Sequence, residues 1–192
     1  MTIKGETKME KVLFVNACVR ENSRTLVIAK EVLKQYDSEI KEIFLNGSNT
    51  KPLTRTLLEK RDNLIANGQF DDDMFKNARE FAEADRIVIA APFWDLGFPA
   101  LLKIYLESIM VSGITFGYDN GVPKSMCKAK SLCYITTSGG PIFEDYGYTY
   151  IKSLAKNFFG ISDVKCVFAE NMDVLCIEAE EVLNKAEIKE KK

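Results

Sequence analysis

The amino-acid sequence predicts an α/β protein whose doubly wound sheet of five parallel strands carries helices on both faces. Short apolar runs at residues 12–15 and 87–91 lack the alternation of polar and apolar residues, which is typical of strands buried on both faces. Segments with helical spacing of apolar residues alternate with such runs along the chain. A length of 192 residues suits one well-buried domain, so we expect a single domain over residues 1–192.

The composition is that of an ordinary globular protein, with 46% hydrophobic and 28% charged residues. The net charge of −2 argues against nucleic acid or an anionic membrane as a partner, because both require a basic surface. No apolar run approaches the roughly 18 residues that a membrane-spanning helix needs. Residues 1–10 are polar and lack the apolar core of a signal peptide, so we expect a cytoplasmic protein.

The chain contains no histidine, and this excludes several kinds of chemistry. Serine or cysteine nucleophiles activated by histidine are impossible, and so are metal sites with histidine ligands. The five cysteines form no Cys-x-x-Cys pair, so we expect reduced thiols and no metal site. Any reaction must therefore depend on a cofactor or on carboxylates, lysines, tyrosines or thiols.

The first strand, residues 12–15, leads through a polar turn into an amphipathic helix. Ser23 is the expected N-cap of that helix, with Thr25 in its first turn. Arg20 and Arg24 add positive charge where free backbone N–H groups and the helix dipole favour an anion. These residues alone allow either an anion site or a simple capped helix. No Gly-x-Gly-x-x-Gly or Walker lysine motif is present, which disfavours a dinucleotide-binding Rossmann domain and a P-loop NTPase.

The second strand, residues 39–45, is followed by a loop at residues 46–52. Helices at residues 54–67 and 71–82 then make a crossover about twice the usual length. The acidic residues 71–73 are expected to cap the second of these helices, because negative charge is favourable at a helix N-terminus. The extra helix could cover the ligand crevice or a partner chain.

The third strand, residues 86–91, stops at Pro92, and Pro99 begins a helix that runs to about residue 111. Between the two prolines, residues 93–98 include three aromatic side chains. So much aromatic surface in a short turn needs something flat to cover. In an α/β sheet, ligands bind in the crevice at the carboxyl ends of the strands, which is where this turn lies.

The rest of the chain continues the alternation. The elements are a glycine-rich loop (113–123), a fourth strand (131–137), a helix (146–159) ended by Gly160, a fifth strand (164–169) and a final helix (175–186). After the fourth strand, Gly139 and Gly140 allow either a close backbone approach to a ligand or an ordinary turn. We expect residues 1–10 and 187–192 to be flexible tails.

Three strand ends thus carry signals of a ligand site, at residues 16–25, 92–99 and 136–140. Together with the runs Gly-Phe-Pro-Ala-Leu-Leu-Lys at 97–103, Gly-Ile-Thr-Phe at 113–116 and Phe-Phe-Gly-Ile at 158–161, they resemble the flavodoxin-like NAD(P)H:quinone oxidoreductase and FMN-dependent azoreductase family. The resemblance extends from residue 11 to about residue 170. It implies a flavodoxin-like fold, FMN as the cofactor, and NADH or NADPH as the co-substrate.

The resemblance also implies which residues form the site. Ser23, Arg24 and Thr25 would hold the FMN phosphate, with Cys18 nearby. The flavin would lie between Pro92, Phe93, Trp94, Asp95 and Leu96 on one side and Thr137, Ser138, Gly139 and Gly140 on the other. Phe116, Tyr118, Tyr146 and Tyr148 would place the substrate. The chain departs from the family at Asp95, where azoreductases typically have asparagine, and at Ala17-Cys18, where a serine is usual. An ionised aspartate cannot donate a hydrogen bond.

The function implied is ping-pong hydride transfer through flavin N5 to quinones, azo compounds or similar small acceptors, without an indispensable catalytic side chain. A flavodoxin-type electron carrier and a flavin-free interaction domain on the same scaffold are the alternatives. Electron carriers of this type are usually smaller and more acidic, so the net charge of −2 and the long crossover favour the enzyme. Apolar surface near one crevice, at the helix after Pro99, at residues 116–118 and in the crossover, leads us to expect a homodimer with each flavin near the interface.

Overall fold

The computed structural model describes residues 9–189 of the chain. Its strands and helices are β1 (Lys11–Asn16), α1 (Arg24–Leu33), β2 (Glu39–Phe44), α2 (Arg55–Ala66), α3 (Lys76–Glu83), β3 (Arg86–Ala90), α4 (Ala100–Ile109), β4 (Phe116–Asp119), β5 (Val122–Ser125), β6 (Ser131–Thr137), α5 (Tyr146–Asn157), β7 (Asp163–Ala169) and β8 (Glu187–Lys189). Three short 3-10 helices lie at Leu45–Gly47, Asp73–Phe75 and Ala179–Lys185.

The main sheet has the strand order β2-β1-β3-β6-β7-β8. Its first five strands are mutually parallel, and β8 alone runs antiparallel to its neighbour β7. The five parallel strands match those expected from the apolar runs, so the predicted fold class is confirmed. The order in which strands are added to the sheet reverses at β1, because β2 lies on one side of β1 and the later strands of this sheet lie on the other. Such a switch point is where doubly wound sheets bind ligands.

Two apolar cores cover the two faces of the sheet. In β1, Leu13 and Val15 face the core built with α3, α4 and α5, whereas Val12 and Phe14 face the core built with α1. All four side chains are almost completely buried, which explains why the run shows no alternation of polar and apolar residues. Among residues 9–189, no helix combines the length and the apolar character needed to cross a bilayer.

The long crossover between β2 and β3 contains the two helices expected there. Thr54 caps α2, and Asp72, rather than the whole acidic run, provides the side-chain cap of the 3-10 turn that leads into α3. No residue of α2 is fully buried. A cavity of about 730 Å³ lies between this crossover, the outer strand β2 and the end of α4.

The glycine-rich segment at 113–123 was expected to be a loop, but most of it forms a hairpin. β4 pairs with β5 in antiparallel register, and the turn residues Asn120 and Gly121 both have positive φ, at 50° and 80°. An Asn-Gly pair favours this two-residue turn, because both positions must adopt the left-handed conformation. The sequence therefore contained the signal for the hairpin.

The expected final helix at 175–186 is wrong. The structure has a 3-10 helix at Ala179–Lys185, whose Val182 side chain is buried against the α1 face. Residues 175–178 are not α-helical, because Cys176 has a φ of 52°, which interrupts a right-handed helix, and the N–H of Ile177 bonds to Met172 O. The helix was predicted from the spacing of apolar residues alone, and that spacing carries no information about this backbone conformation.

The expectation of flexible tails is partly corrected. Residues Glu187–Lys189 pair with β7 as strand β8. At the other end, Glu10 forms an ion pair with Arg86, with Oε2 and Nε 2.7 Å apart. Residues 1–8 and 190–192, also assigned to the tails, lie outside the described residues.

Candidate functional site

A pocket of about 250 Å³ lies at the carboxyl ends of β1, β3 and β6, beside the switch point of the sheet. Three loops expected to meet there do so: the turn before α1, the turn after β3 and the loop after β6. A fourth loop, after β7, also contributes. The lining consists of Val19, Arg20, Asn22, Ser23, Arg24, Thr25, Pro92, Phe93, Trp94, Thr137, Ser138, Gly139 and Asp173.

The turn before α1 is held in place by two side-chain hydrogen bonds. Ser23 is the N-cap, and its hydroxyl accepts a hydrogen bond of 3.3 Å from the N–H of Leu26. The hydroxyls of Thr25 and Thr137 are 2.7 Å apart and both residues are buried, which joins the first turn of α1 to the end of β6. The first turn of a helix leaves N–H groups without intrahelical partners, and here they lie beside the pocket.

Positive charge lies at the same end of the pocket. Arg20 and Arg24 are both part of the lining. The Nη1 atom of Arg24 is 2.8 Å from Oδ1 of Asp173, in an ion pair that spans from α1 to the loop after β7. Asp173 was not among the predicted site residues, because the sequence carried ligand-site signals only at residues 16–25, 92–99 and 136–140. No signal in the sequence could have found it, since the contact joins residues 149 positions apart.

The turn after β3 is a tight hairpin turn. Trp94 N–H donates to Gly97 O at 3.2 Å, and Gly97 N–H donates to Trp94 O at 2.8 Å. The two residues between them, Asp95 and Leu96, have φ of 50° and 65°. Asp tolerates this left-handed conformation, whereas a leucine there is strained, by roughly 1–2 kcal/mol. The turn that places Trp94 at the pocket therefore includes backbone strain at Leu96.

The first turn of α5 packs directly against this hairpin turn. The N–H of Tyr146 donates to Leu96 O at 3.2 Å. A Cβ atom at Gly147 would lie 3.3 Å from Gly97 O and 3.1 Å from the Tyr134 hydroxyl, so a larger residue at 147 would press on both. The aromatic wall of the pocket is thus fixed by α5 as well as by β3.

The loop after β6 is tied to the loop after β7. Ser138 N–H donates to Ala169 O, while the carbonyls of Ser138, Gly139 and Gly140 accept N–H groups from residues 171–174. The Ser138 hydroxyl donates to Gly140 O at 2.5 Å. These bonds hold Gly139 at the pocket and leave Gly140 behind it.

Four of the residues predicted to bind the cofactor do not line the pocket. Gly140, Asp95 and Leu96 belong to loops that do, and Cys18 lies beneath the turn before α1. The Cys18 thiol points towards Ala90 O, 3.8 Å away, and burial raises its pKa to about 11. Its side chain is therefore a neutral, buried group and not a ligand-facing thiolate.

The four aromatic residues expected to place the substrate are dispersed. Tyr148 is buried, its hydroxyl donates to Val164 O at 2.9 Å, and burial raises its pKa to about 12. It is therefore a core residue that does not face the pocket. Phe116 is also buried, with its ring in edge contact with Tyr118 and Phe158. Only Tyr118 and Tyr146 are exposed, Tyr118 on the β4–β5 hairpin and Tyr146 beside the Trp94–Gly97 turn.

In the part of the chain that the structure describes, no three Cys, Asp or Glu side chains come close enough to hold a metal ion. The ionisable side chains of the pocket lining are those of Arg20, Arg24 and Asp173. The arrangement can therefore bind an anion next to an aromatic wall.

Comparison with known proteins identifies the family of the chain. A family model described as a flavodoxin-like fold matches residues 10–191. FMN-dependent NADH:quinone oxidoreductase 2 of Clostridium acetobutylicum is 35% identical over 188 residues, which cover 91% of this chain and 93% of that protein. FMN-dependent NADH:quinone oxidoreductase of Lachnoclostridium phytofermentans is 32% identical, with coverage of 90% and 91%.

Among solved structures, an FMN-dependent NADH-azoreductase from Bacillus anthracis in complex with FMN superposes with a TM-score of 0.76. It is 25% identical, and the match covers 92% of this chain and 93% of that chain. An azoreductase from another strain of Bacillus anthracis, 23% identical, has the same fold with a TM-score of 0.79 and coverage of 92% and 94%. The chain therefore belongs to the flavodoxin-like fold family that includes FMN-dependent NADH:quinone oxidoreductases.

Proposed function

We propose that this chain binds FMN in the pocket and uses it to transfer hydride from NADH or NADPH to quinones, azo compounds or similar small acceptors. The observation that carries the proposal is the pairing of an anion-binding end with an aromatic wall in one pocket. Hydrogen-bond donors and two arginines lie around the turn before α1, and Phe93 and Trp94 line the adjacent wall. This donor set fits a phosphate, and the wall fits a flat ring system. The names of the relatives and the FMN bound to the azoreductase support the same ligand.

The phosphate end would be formed by the residues of the first turn of α1. The Ser23 hydroxyl accepts the Leu26 N–H, and its own O–H can donate to a phosphate oxygen. The backbone N–H groups of Arg24 and Thr25 and the positive end of the helix dipole favour the same anion. The Thr25 hydroxyl forms a hydrogen bond with the Thr137 hydroxyl, so the Thr25 side chain stabilises the site and the Thr25 backbone N–H would bind the phosphate.

The ring would be oriented by the wall at Pro92, Phe93 and Trp94 and by the loop at residues 137–139. When bound, FMN supplies hydride acceptance and donation at N5, which is chemistry that protein side chains cannot perform. The chain's contribution is to hold the ring against this wall and to exclude water from that side. The strained turn at Asp95 and Leu96 gives the wall its fixed position.

No side chain of the pocket is proposed as an acid or base. Arginine does not release its proton near neutral pH, and Asp173 is occupied by its ion pair with Arg24. Tyr148, which the sequence suggested for the substrate, is directed into the core instead. We therefore propose that water supplies the proton that an acceptor needs after hydride transfer.

We further propose that the chain acts in the cytoplasm as a homodimer with each flavin site near the interface. Exposed apolar side chains surround the aromatic wall: Trp94, Leu96 and Tyr146 are all exposed, and Phe143 is 83% exposed. Leu96 and Tyr146 are joined by a backbone hydrogen bond, so they form continuous surface. Apolar surface of this kind beside a pocket favours a protein–protein contact. Sedimentation at micromolar concentration tests it, and an active, flavin-loaded monomer would contradict it.

The function is tested with the purified protein. We expect the absorption bands of bound flavin and one FMN for each chain, loss of those bands on mixing with NADH or NADPH without acceptor, and recovery on adding a quinone. Initial rates at varied quinone should give the parallel double-reciprocal lines of a ping-pong reaction. A folded protein that binds no FMN would refute the proposal. FMN binding without reaction with either nicotinamide would favour the electron carrier instead.

A further inference from the structure

We propose that Asp173 is a positioning residue for the flavin phosphate, which acts by holding the Arg24 guanidinium in the pocket. The inference rests on the FMN site proposed above. It concerns a residue outside the three loops that the sequence assigned to that site. Asp173 lies in the loop after β7 and is part of the pocket lining.

The ion pair is placed for binding and not for stability. The Arg24 side chain is 28% exposed and that of Asp173 is 70% exposed, and ion pairs so open to solvent contribute little to folding stability. Within residues 9–189, Arg24 contacts Asp173 through Nη1 alone. The guanidinium has five N–H donors in a fixed plane, so Nε and Nη2 stay available for a phosphate oxygen.

Asp173 is itself fixed to the glycine loop. Its backbone N–H donates to Gly139 O at 2.9 Å, and a Cβ atom at Gly139 would overlap its carboxylate. The φ of Gly139 is not in the left-handed region, so the backbone there does not require glycine. The absence of a side chain at position 139 instead makes room for the Asp173 carboxylate. Gly139, Asp173 and Arg24 therefore form one connected set across the pocket.

The opposite role would be competition, with the carboxylate occupying the place of the phosphate. A competing carboxylate should bind the donors that the phosphate uses. In the described residues, the Asp173 carboxylate bonds to Arg24 and not to the Ser23 hydroxyl or to the N–H groups of the first turn of α1. The anion-binding donors therefore remain open, and the geometry favours positioning. The two roles predict opposite changes in FMN affinity when the carboxylate is neutralised.

The experiment measures the dissociation constants of FMN and riboflavin for the apoprotein by flavin fluorescence. We expect Asp173→Asn to weaken FMN binding by about threefold to tenfold, the range of a partly exposed charge-assisted contact. Riboflavin has no phosphate, so its dissociation constant should stay within about twofold of wild type. Asp37→Asn, which removes an exposed carboxylate beyond the other end of α1, is the matched control and should change neither constant.

Two double variants test whether Asp173 acts through Arg24, and whether a side chain at position 139 displaces the Asp173 carboxylate. In an Arg24→Ala background, Asp173→Asn should cause no further loss of FMN affinity. Gly139→Ala should weaken FMN binding, and adding it to Asp173→Ala should cost nothing more, because the overlap is gone.

FMN binding to Asp173→Asn that equals or exceeds wild type overturns the inference and leaves the proposed function intact. An effect of Asp173→Asn that persists in the Arg24→Ala background also overturns it. A folded wild-type protein that does not bind FMN overturns the proposed function, and the inference with it.

Discussion

Replacing Ser23 by aspartate should separate the stability of α1 from the affinity of the pocket. Aspartate is as good an N-cap as serine, and its charge is favourable at a helix N-terminus by about 0.3–1 kcal/mol. The cap bond to Leu26 N–H is therefore kept, and the apoprotein should be as stable as wild type or slightly more so. The same charge would face the flavin phosphate.

The magnitude follows from Coulomb's law. Two unit charges 4 Å apart repel by about 1 kcal/mol even in bulk water, so a carboxylate opposite a phosphate that carries close to two charges costs about 2 kcal/mol. That cost corresponds to roughly thirtyfold weaker binding, and the loss of the donating hydroxyl adds to it. Charges in a partly buried site are screened less than charges in water, so the thirtyfold loss of affinity is a lower bound.

The assay pairs thermal unfolding of the apoprotein with FMN titration by fluorescence. We expect an unchanged or slightly raised Tm together with at least thirtyfold weaker FMN binding for Ser23→Asp. Ser23→Asn is the matched control, because it keeps a capping oxygen and adds no charge, so its FMN affinity should stay within about tenfold of wild type. Wild-type FMN affinity in Ser23→Asp would refute the placement of the phosphate at this turn.

Three further predictions address the wall and the tyrosines. Trp94→Ala should raise the dissociation constant of FMN or the KM of the acceptor more than it slows flavin reduction by NADH, since Trp94 shapes the wall only. Flavin fluorescence and steady-state rates measure the two constants, stopped-flow absorbance measures the reduction rate, and a larger effect on the rate argues against this role. Substitutions of Asp95, Tyr118 and Tyr146 that keep FMN bound should each slow that reduction by less than about a thousandfold, because none is an acid or base; a larger loss identifies a catalytic side chain. Tyr148→Phe should lower the free energy of unfolding in urea by about 1–2 kcal/mol, as Val164 O loses its buried donor, while FMN affinity is unchanged; altered acceptor KM would contradict its core position.

The parts of the fold that the sequence predicted are those determined by local pattern. The buried run of β1, the N-cap Ser23 and the strand end at Pro92 each depend on a few consecutive residues. The three strand ends met in one pocket because parallel strands place their carboxyl ends on the same edge of the sheet. Gly160 has the positive φ, 66°, expected of a residue that follows a helix, although α5 ends at Asn157, two residues earlier than expected.

The parts that failed depend on contacts between distant residues. Residues 175–178 were expected to be helical, but the φ of 52° at Cys176 interrupts the turn, and the N–H of Val174 just before it bonds to Gly139 O across the sheet edge. The position of Tyr148 could have been found, because it lies on the same helical stripe as the buried residues Ile151 and Ala155, three and seven positions later. Spacing alone thus separated Tyr148 from the exposed Tyr146.

The two edge strands of the sheet, β2 and β8, disfavour edge-to-edge aggregation in different ways. An open edge strand offers unpaired N–H and C=O groups to any other strand, and this promotes association between molecules. On the β2 side the edge carries the charged residues Glu39, Lys41 and Glu42, which disfavour such pairing. On the other side, the outermost strand β8 is only three residues long, and so short an edge strand offers few free N–H and C=O groups for pairing. A few residues that contribute nothing to the pocket thereby help to keep the protein dispersed.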